Sequence, residues 1–148
     1  NSFGQTKEET IEWLQTNGKE FIEPRYIEKY IDGQYNYIVI KIQVKKDVLI
    51  IKQEIMHQGS SDNIKIIENS YYWNQLLYED IKSVIIGHYT ESVNHVKFFK
   101  LKYQNDKNEI EILELFFLKD NEENAKRVIK AIMHLAKLSG AKENKQTF

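Results

Sequence analysis

The sequence predicts an α+β fold: a bent antiparallel sheet, or partly open barrel, of about seven strands, capped by a C-terminal helix and preceded by a short extra N-terminal helix. Three observations predict it. Runs of alternating apolar and polar residues, joined by short polar turns, fill most of residues 21–118. An apolar stripe at three- and four-residue spacing follows over 121–139. Nine Tyr and seven Phe, with abundant Ile, shift the composition toward strands. At 148 residues the chain reads as a single domain, 1–148. A chain of this size buries about 70% of the surface its unfolded form exposes, enough to fold without a metal or disulfide.

The first helix spans 6–17. Thr6 and Glu9 stand at capping-box spacing, so each side chain satisfies an orphan backbone donor of the other residue. Ile11 and Leu14 share one face, with Trp13 beside them. Gly18 ends the helix, as expected for a left-handed C-terminal residue. Residues 19–35 contain Pro24, which suits an edge strand or loop. From Tyr37 the alternation is regular: Ile38, Ile40, Ile42 and Val44 point one way, Lys41 and Gln43 the other. "KKD" turns the chain and "VLIIKQEI" returns as the second arm of a hairpin. "QGSSDN" is a loop, and "IKIIENSYYW" is a further strand.

Tyr78–Lys82 reads as a turn leading into a strand from about Ser83. After the turn "ESVN", "HVKFFKLKY" places Lys97, Phe99, Leu101 and Tyr103 on one face and Phe98, Lys100 and Lys102 on the other. "QNDKNE" is a polar hairpin loop before the last strand, "IEILELFFL". Asp120 and Glu123 repeat the capping pattern. Ala125, Val128, Ile129, Ile132, Leu135 and Ala136 then form the stripe of the closing helix. Glu122 with Lys126, and Glu123 with Arg127, are spaced to pair on its wet face. Gly140 stops the helix, and 141–148 reads as a mobile polar tail.

That order of elements, the "EDIKSVII" segment ahead of a middle strand, and a closing helix of the "AKRVIKAIMHLAKLSGA" kind resemble the pleckstrin-homology-like fold. The opening "FGQTKEETIEWL" and the closing "KAIMHLAKLSGAKENKQTF" resemble short exported proteins of Bacteroidetes-type bacteria. The resemblance covers most of 35–140. It implies a strongly bent sheet plugged by the last helix. Phosphoinositide-binding members use basic residues around the first hairpin. Lys41, Lys45, Lys46 and Lys52 lie there, with Asp47 in the turn and no arginine. A solvated lysine face is the reading adopted, and lipid-headgroup binding is not carried over.

The totals exclude several functions. A formal net charge of -1 argues against a nucleic-acid partner. The absence of cysteine removes disulfides, thiolate metal sites and cysteine nucleophiles. No apolar run approaches the roughly 18–20 residues of a membrane helix, so no integral membrane segment is expected. The opening "NSFGQTKEET", without methionine, looks like the remnant of a cleaved secretory signal. It predicts an exported protein, in the periplasm, cell envelope or extracellular space.

Catalytic motifs are missing. There is no G-x-S-x-G elbow and no glycine-rich phosphate cradle. Glu111 and Glu114 lie among strand hydrophobics, where an outward orientation is expected. His134 projects from the flank of the closing helix and reads as structural. His88 and His95, facing each other across "YTESVN" with Glu91 nearby, are the weak candidate metal pair. The expected site is aromatic: Tyr71, Tyr72 and Trp73, with Tyr35 and Tyr37, because such clusters mark interaction surfaces. The sequence thus predicts a non-enzymatic binding domain without cofactor, recognising a protein or peptide at a sheet edge or groove. The alternatives are a barrel holding a small apolar ligand and, last, a histidine-based metal enzyme.

Overall fold

In the computed structural model, helix α1 covers Lys7–Asn17 and helix α2 covers Glu122–Leu138. Between them run β1 (Arg25–Ile31), β2 (Gln34–Val44), β3 (Val48–His57), β4 (Ile64–Tyr72), β5 (Ile85–Glu91), β6 (Asn94–Gln104) and β7 (Ile110–Phe117). The structure describes residues 4, 6–18, 25–31, 33–57, 64–91, 94–117 and 122–145. At 25–31, 34–35, 89–91 and 94–97 it describes the backbone alone. The loop 58–63, Asp120 and Phe148 lie outside the described residues.

Among the described residues the fold is α+β, with two antiparallel sheets and two α-helices. One sheet has the order β1-β2-β3-β4 and the other β5-β6-β7. Strand pairing follows from the period-two pattern. Ile38, Ile40, Ile42 and Val44 are all buried, and the register aligns them with Ile55, Gln53, Ile51 and Leu49 of β3. A one-residue slip would turn this whole row to solvent, so burial fixes the register. On the opposite face Lys41 and Lys52 both approach Glu54, at 3.4 and 3.7 Å. Two lysines of the first hairpin are thus partly neutralised within the sheet.

The link between the sheets is tied at several points. Trp73 is buried, its indole N–H donates to the Lys45 carbonyl at 2.8 Å, and its backbone N–H donates to the Asp47 carbonyl at 3.2 Å. Leu76 bridges to Tyr103, and Tyr78 forms a parallel bridge to Glu143. Residues 141–145, read from sequence as mobile, are instead held against this link. Lys142 accepts from the Tyr78 N–H at 3.1 Å, and the Asn144 N–H donates to Tyr78 at 2.8 Å. Main-chain pairing that the side-chain pattern does not encode anchors this segment.

Both helices close one end of the sheets. The Glu9 N–H donates to Thr6 Oγ1 at 3.1 Å, one half of the expected capping box, while Glu9 Oε1 accepts from the Thr6 hydroxyl at 3.1 Å instead of from the Thr6 N–H. Gly18 is not left-handed: its φ is -98°. It is required there because a Cβ would collide with the Leu14 carbonyl that its N–H bonds. Gly140, by contrast, has φ +87° and gives the expected left-handed stop. The α2 stripe is buried as predicted, and Ala131 and Met133 join it. Lys126 pairs with Glu122 at 3.8 Å, whereas Arg127 stacks on Trp13 with its guanidinium 5.4 Å from the ring centre. His134 Nε2 lies 3.0 Å from the Gly4 carbonyl, so this imidazole fastens the residues before α1 to α2.

Leu14, Val44, Leu49, Leu115, Val128 and Ile132 converge where helices and sheets meet, around a gap of only about 20 Å³. Each Leu or Ile fully buried in such a place contributes about 1.5–3 kcal/mol. None of the helices is long and apolar enough to cross a membrane, among the described residues.

Candidate functional site

Among the described residues, neither helix covers the far end of the first sheet. There a cleft of about 250 Å³ opens between that sheet and β7. Its floor is aliphatic: Ile38 and Ile40 of β2, with Ile51 and Ile55 of β3. Asn69 and Tyr71 of β4 form one bank. Ile112, Glu114 and Phe116 of β7 form the other. Both banks are terminal strands of their sheets. Among the described residues no strand pairs with the outer edge of either. Each therefore presents unpaired backbone donors and acceptors along the mouth of the cleft.

Three polar residues, Gln53, Asn69 and Glu114, line this space. Gln53 and Glu114 are half-buried and Asn69 is exposed. Among the described residues none of the three has a hydrogen bond or ion pair. Lys100 is the cross-strand partner of Glu114. Its ammonium sits 5.8 Å from the centre of the Phe98 ring, without an ion pair to the carboxylate. Polar groups drawn partly out of water without protein partners are available to a ligand.

The tyrosine end of the cleft is tied by a ring contact and a chain of hydrogen bonds. Tyr71 meets Tyr103 edge-on at 5.0 Å. The Tyr103 hydroxyl accepts from the Tyr72 N–H at 3.1 Å and donates to Gln75 Oε1 at 3.2 Å. Gln75 in turn donates to the Gln104 carbonyl at 3.0 Å and to Asp106 at 2.9 Å. Burial pushes both phenols above the usual tyrosine range; Glu111 and Tyr103 add to the rise at Tyr71. At Tyr103 the Tyr72 N–H opposes the rise, and Asp106 adds to it. A separate polar depression of about 310 Å³ lies beside Gln75, Asp106 and Lys142. Gln75, and Asn105 with it, are occupied in holding the β6–β7 turn.

The predicted aromatic residues do not form one surface. Trp73 is only 1% exposed and belongs to the core. Tyr71 faces the cleft and Tyr72, 49% exposed, faces away from it. Tyr37 is half-buried, paired with Met56, eight residues along β3 from Val48, the partner of Tyr72. Tyr35 pairs with Tyr30 in the backbone, and its side chain lies outside the described residues. Only Tyr71 contributes to the cleft.

The histidine pair is no closer to a site. His88 is exposed and aligned with Lys97, while His95 is aligned with Thr90 and Glu91 with Asn94. The two histidines are therefore not cross-strand partners. Among the described residues no group of three His, Asp or Glu side chains is placed to hold a metal.

Sequence reasoning missed Gln53 and Asn69, and named Glu114 only as an outward strand residue. One signal was present. Gln53 stands in phase with Leu49, Ile51 and Ile55, an inward position that a closed core would fill with an apolar side chain. No family of known proteins, no curated protein and no solved structure matches the chain.

Proposed function

We propose that this protein is a non-enzymatic binding domain that captures an extended segment of a partner protein in the cleft between β4 and β7. The segment adds as a strand along a free edge and lays alternate side chains on the isoleucine floor. One observation carries this reading: among the described residues, two unpaired strand edges flank a cleft with an aliphatic floor and with amide and carboxylate groups that make no hydrogen bond within the protein. The two sheets with α2 across one end fit a partly open barrel of pleckstrin-homology-like type, and the cleft is then its open seam.

A barrel for a small apolar molecule is less well supported. Such sites run to about 300–1,000 Å³. The apolar gap beneath the helices is about 20 Å³.

The test is a selection of random displayed peptides on the protein, with Asn69→Trp as the counter-selected variant. Asn69 is exposed, so the indole should fill the mouth of the cleft without disturbing the core. Selected peptides should bind the parent at least about tenfold better than Asn69→Trp. They should also slow amide exchange in 64–72 and 110–117. Peptides that bind both proteins equally, or protect other strands, would refute the proposal.

A further inference from the structure

We infer that Glu114 selects the segment this cleft accepts: an extended, largely apolar run carrying one lysine or arginine. The inference rests on the peptide-binding reading above and names the chemistry of the partner. Glu114 is the one charged side chain among the described residues that line the cleft. It is half-buried and unpaired, although Lys100 lies directly across the strand from it. A cation delivered by a ligand to a half-buried carboxylate that makes no ion pair within the protein gains a charge-assisted hydrogen bond.

The surrounding charge agrees. The β7 strand carries Glu111 and Glu114 and no cation, the turn before it carries Asp106, Lys107 and Glu109, and across the strand Lys100 lies near Phe98 while Lys102 is aligned with Ile112. No cation lines either bank among the described residues. An acidic occupant would meet this strand with like charge. A wholly apolar one would leave Glu114 covered and unpaired, which is worse than leaving it wet. The isoleucine floor excludes a wholly polar occupant for the complementary reason. Gln53 and Asn69 each offer a donor and an acceptor, which suits a peptide main chain.

The test uses three synthetic peptides of one frame, acetyl-Thr-Val-Thr-X-Thr-Val-Thr-amide, with X as Lys, norleucine or Glu. Alternation puts X and both Val side chains on one side of the strand. Binding is read from the side-chain amide NMR signals of Gln53 and Asn69. The Lys peptide should shift them saturably. The norleucine peptide should bind at least about tenfold more weakly, a typical loss for one charge-assisted hydrogen bond. The Glu peptide should be weaker still. Glu114→Gln should reduce the Lys peptide to the norleucine level, whereas Glu111→Gln, at an exposed position, should leave the preference in place. Equal binding of the Lys and norleucine peptides, or a preference that survives Glu114→Gln, overturns the role of Glu114 and leaves the cleft reading standing. If none of the peptides moves the Gln53 and Asn69 signals, both fall.

Discussion

The same face of one sheet ends in two different ways. Toward the helices, Ile42, Val44 and Leu49 lie beneath Leu14, Val128 and Ile132 around a gap of about 20 Å³. Two to six residues away along the same strands, Ile38, Ile40 and Ile55 floor a cleft of about 250 Å³. Strand propensity and alternation are alike at both ends. The difference is the cover. An amphipathic helix supplies apolar side chains to one end, and nothing among the described residues supplies them to the other. Stability and binding are thereby separated along the length of β2 and β3.

The largest effects belong to the closed end. Trp73→Ala should cost about 3–5 kcal/mol, because it empties a buried site and strands the Lys45 carbonyl. Leu49→Ala should cost about 2–5 kcal/mol. Ile55→Ala, at a half-buried position of the same strand, should cost no more than about half as much. Chemical denaturation of the three variants measures this directly. If Ile55→Ala proved as damaging as Leu49→Ala, the two ends would be equally packed and the contrast would be lost.

A smaller effect sharpens the boundary between the two ends, where Tyr71 and Tyr103 meet. Both hydroxyls titrate above their ordinary range, with burial as the leading cause. In the unfolded chain they lose their protons near pH 10. Above that pH the native state still holds protons that the unfolded state has released. Stability from this pair is therefore complete below about pH 10 and declines as pH rises through the native values. Melting temperatures between pH 8 and pH 11 should show the decline. Tyr103→Phe should flatten it and cost about 1 kcal/mol at neutral pH, since Tyr72 N–H and Gln75 lose their partner. An unchanged slope in the variant would place the decline elsewhere.

The two ends also differ in how far the sequence discloses them. The helix end is written in local pattern. The α2 stripe and the Thr6 cap depend on residues three and four apart, and both are found where the spacing puts them. The cleft depends on pairing between distant strands. Gln53 and Asn69 come together only because β3 and β4 pair so that Ile51 meets Asn69 and Gln53 meets Ile67. Glu114 joins them through the packing of the second sheet against the first. In "YYW" the alternation correctly separates Tyr71 from Tyr72. It does not give depth, so Trp73 looked like a surface aromatic while the β2–β3 turn in fact closes over it.

The smallest expected effect concerns how α1 is held to the closed end. Lys7 reaches Asp47 in the β2–β3 turn at 3.2 Å, with the Asp47 side chain 71% exposed. An exposed pair of this kind is worth no more than about 0.5 kcal/mol. The hold on α1 then comes from Leu14 in the core, from the Arg127–Trp13 stack and the His134–Gly4 contact with α2, and from the Gln15 amide, which donates to the Val44 carbonyl at 3.1 Å. Asp47→Asn should lower stability by less than about 0.5 kcal/mol at low salt and by nothing measurable in 1 M salt, where exposed charges are screened within about 3 Å. A salt-insensitive loss above about 1 kcal/mol would mean that Asp47 acts through the turn. Its carbonyl there receives the Trp73 N–H, and the cap on this end would then depend on the hairpin as much as on the helices.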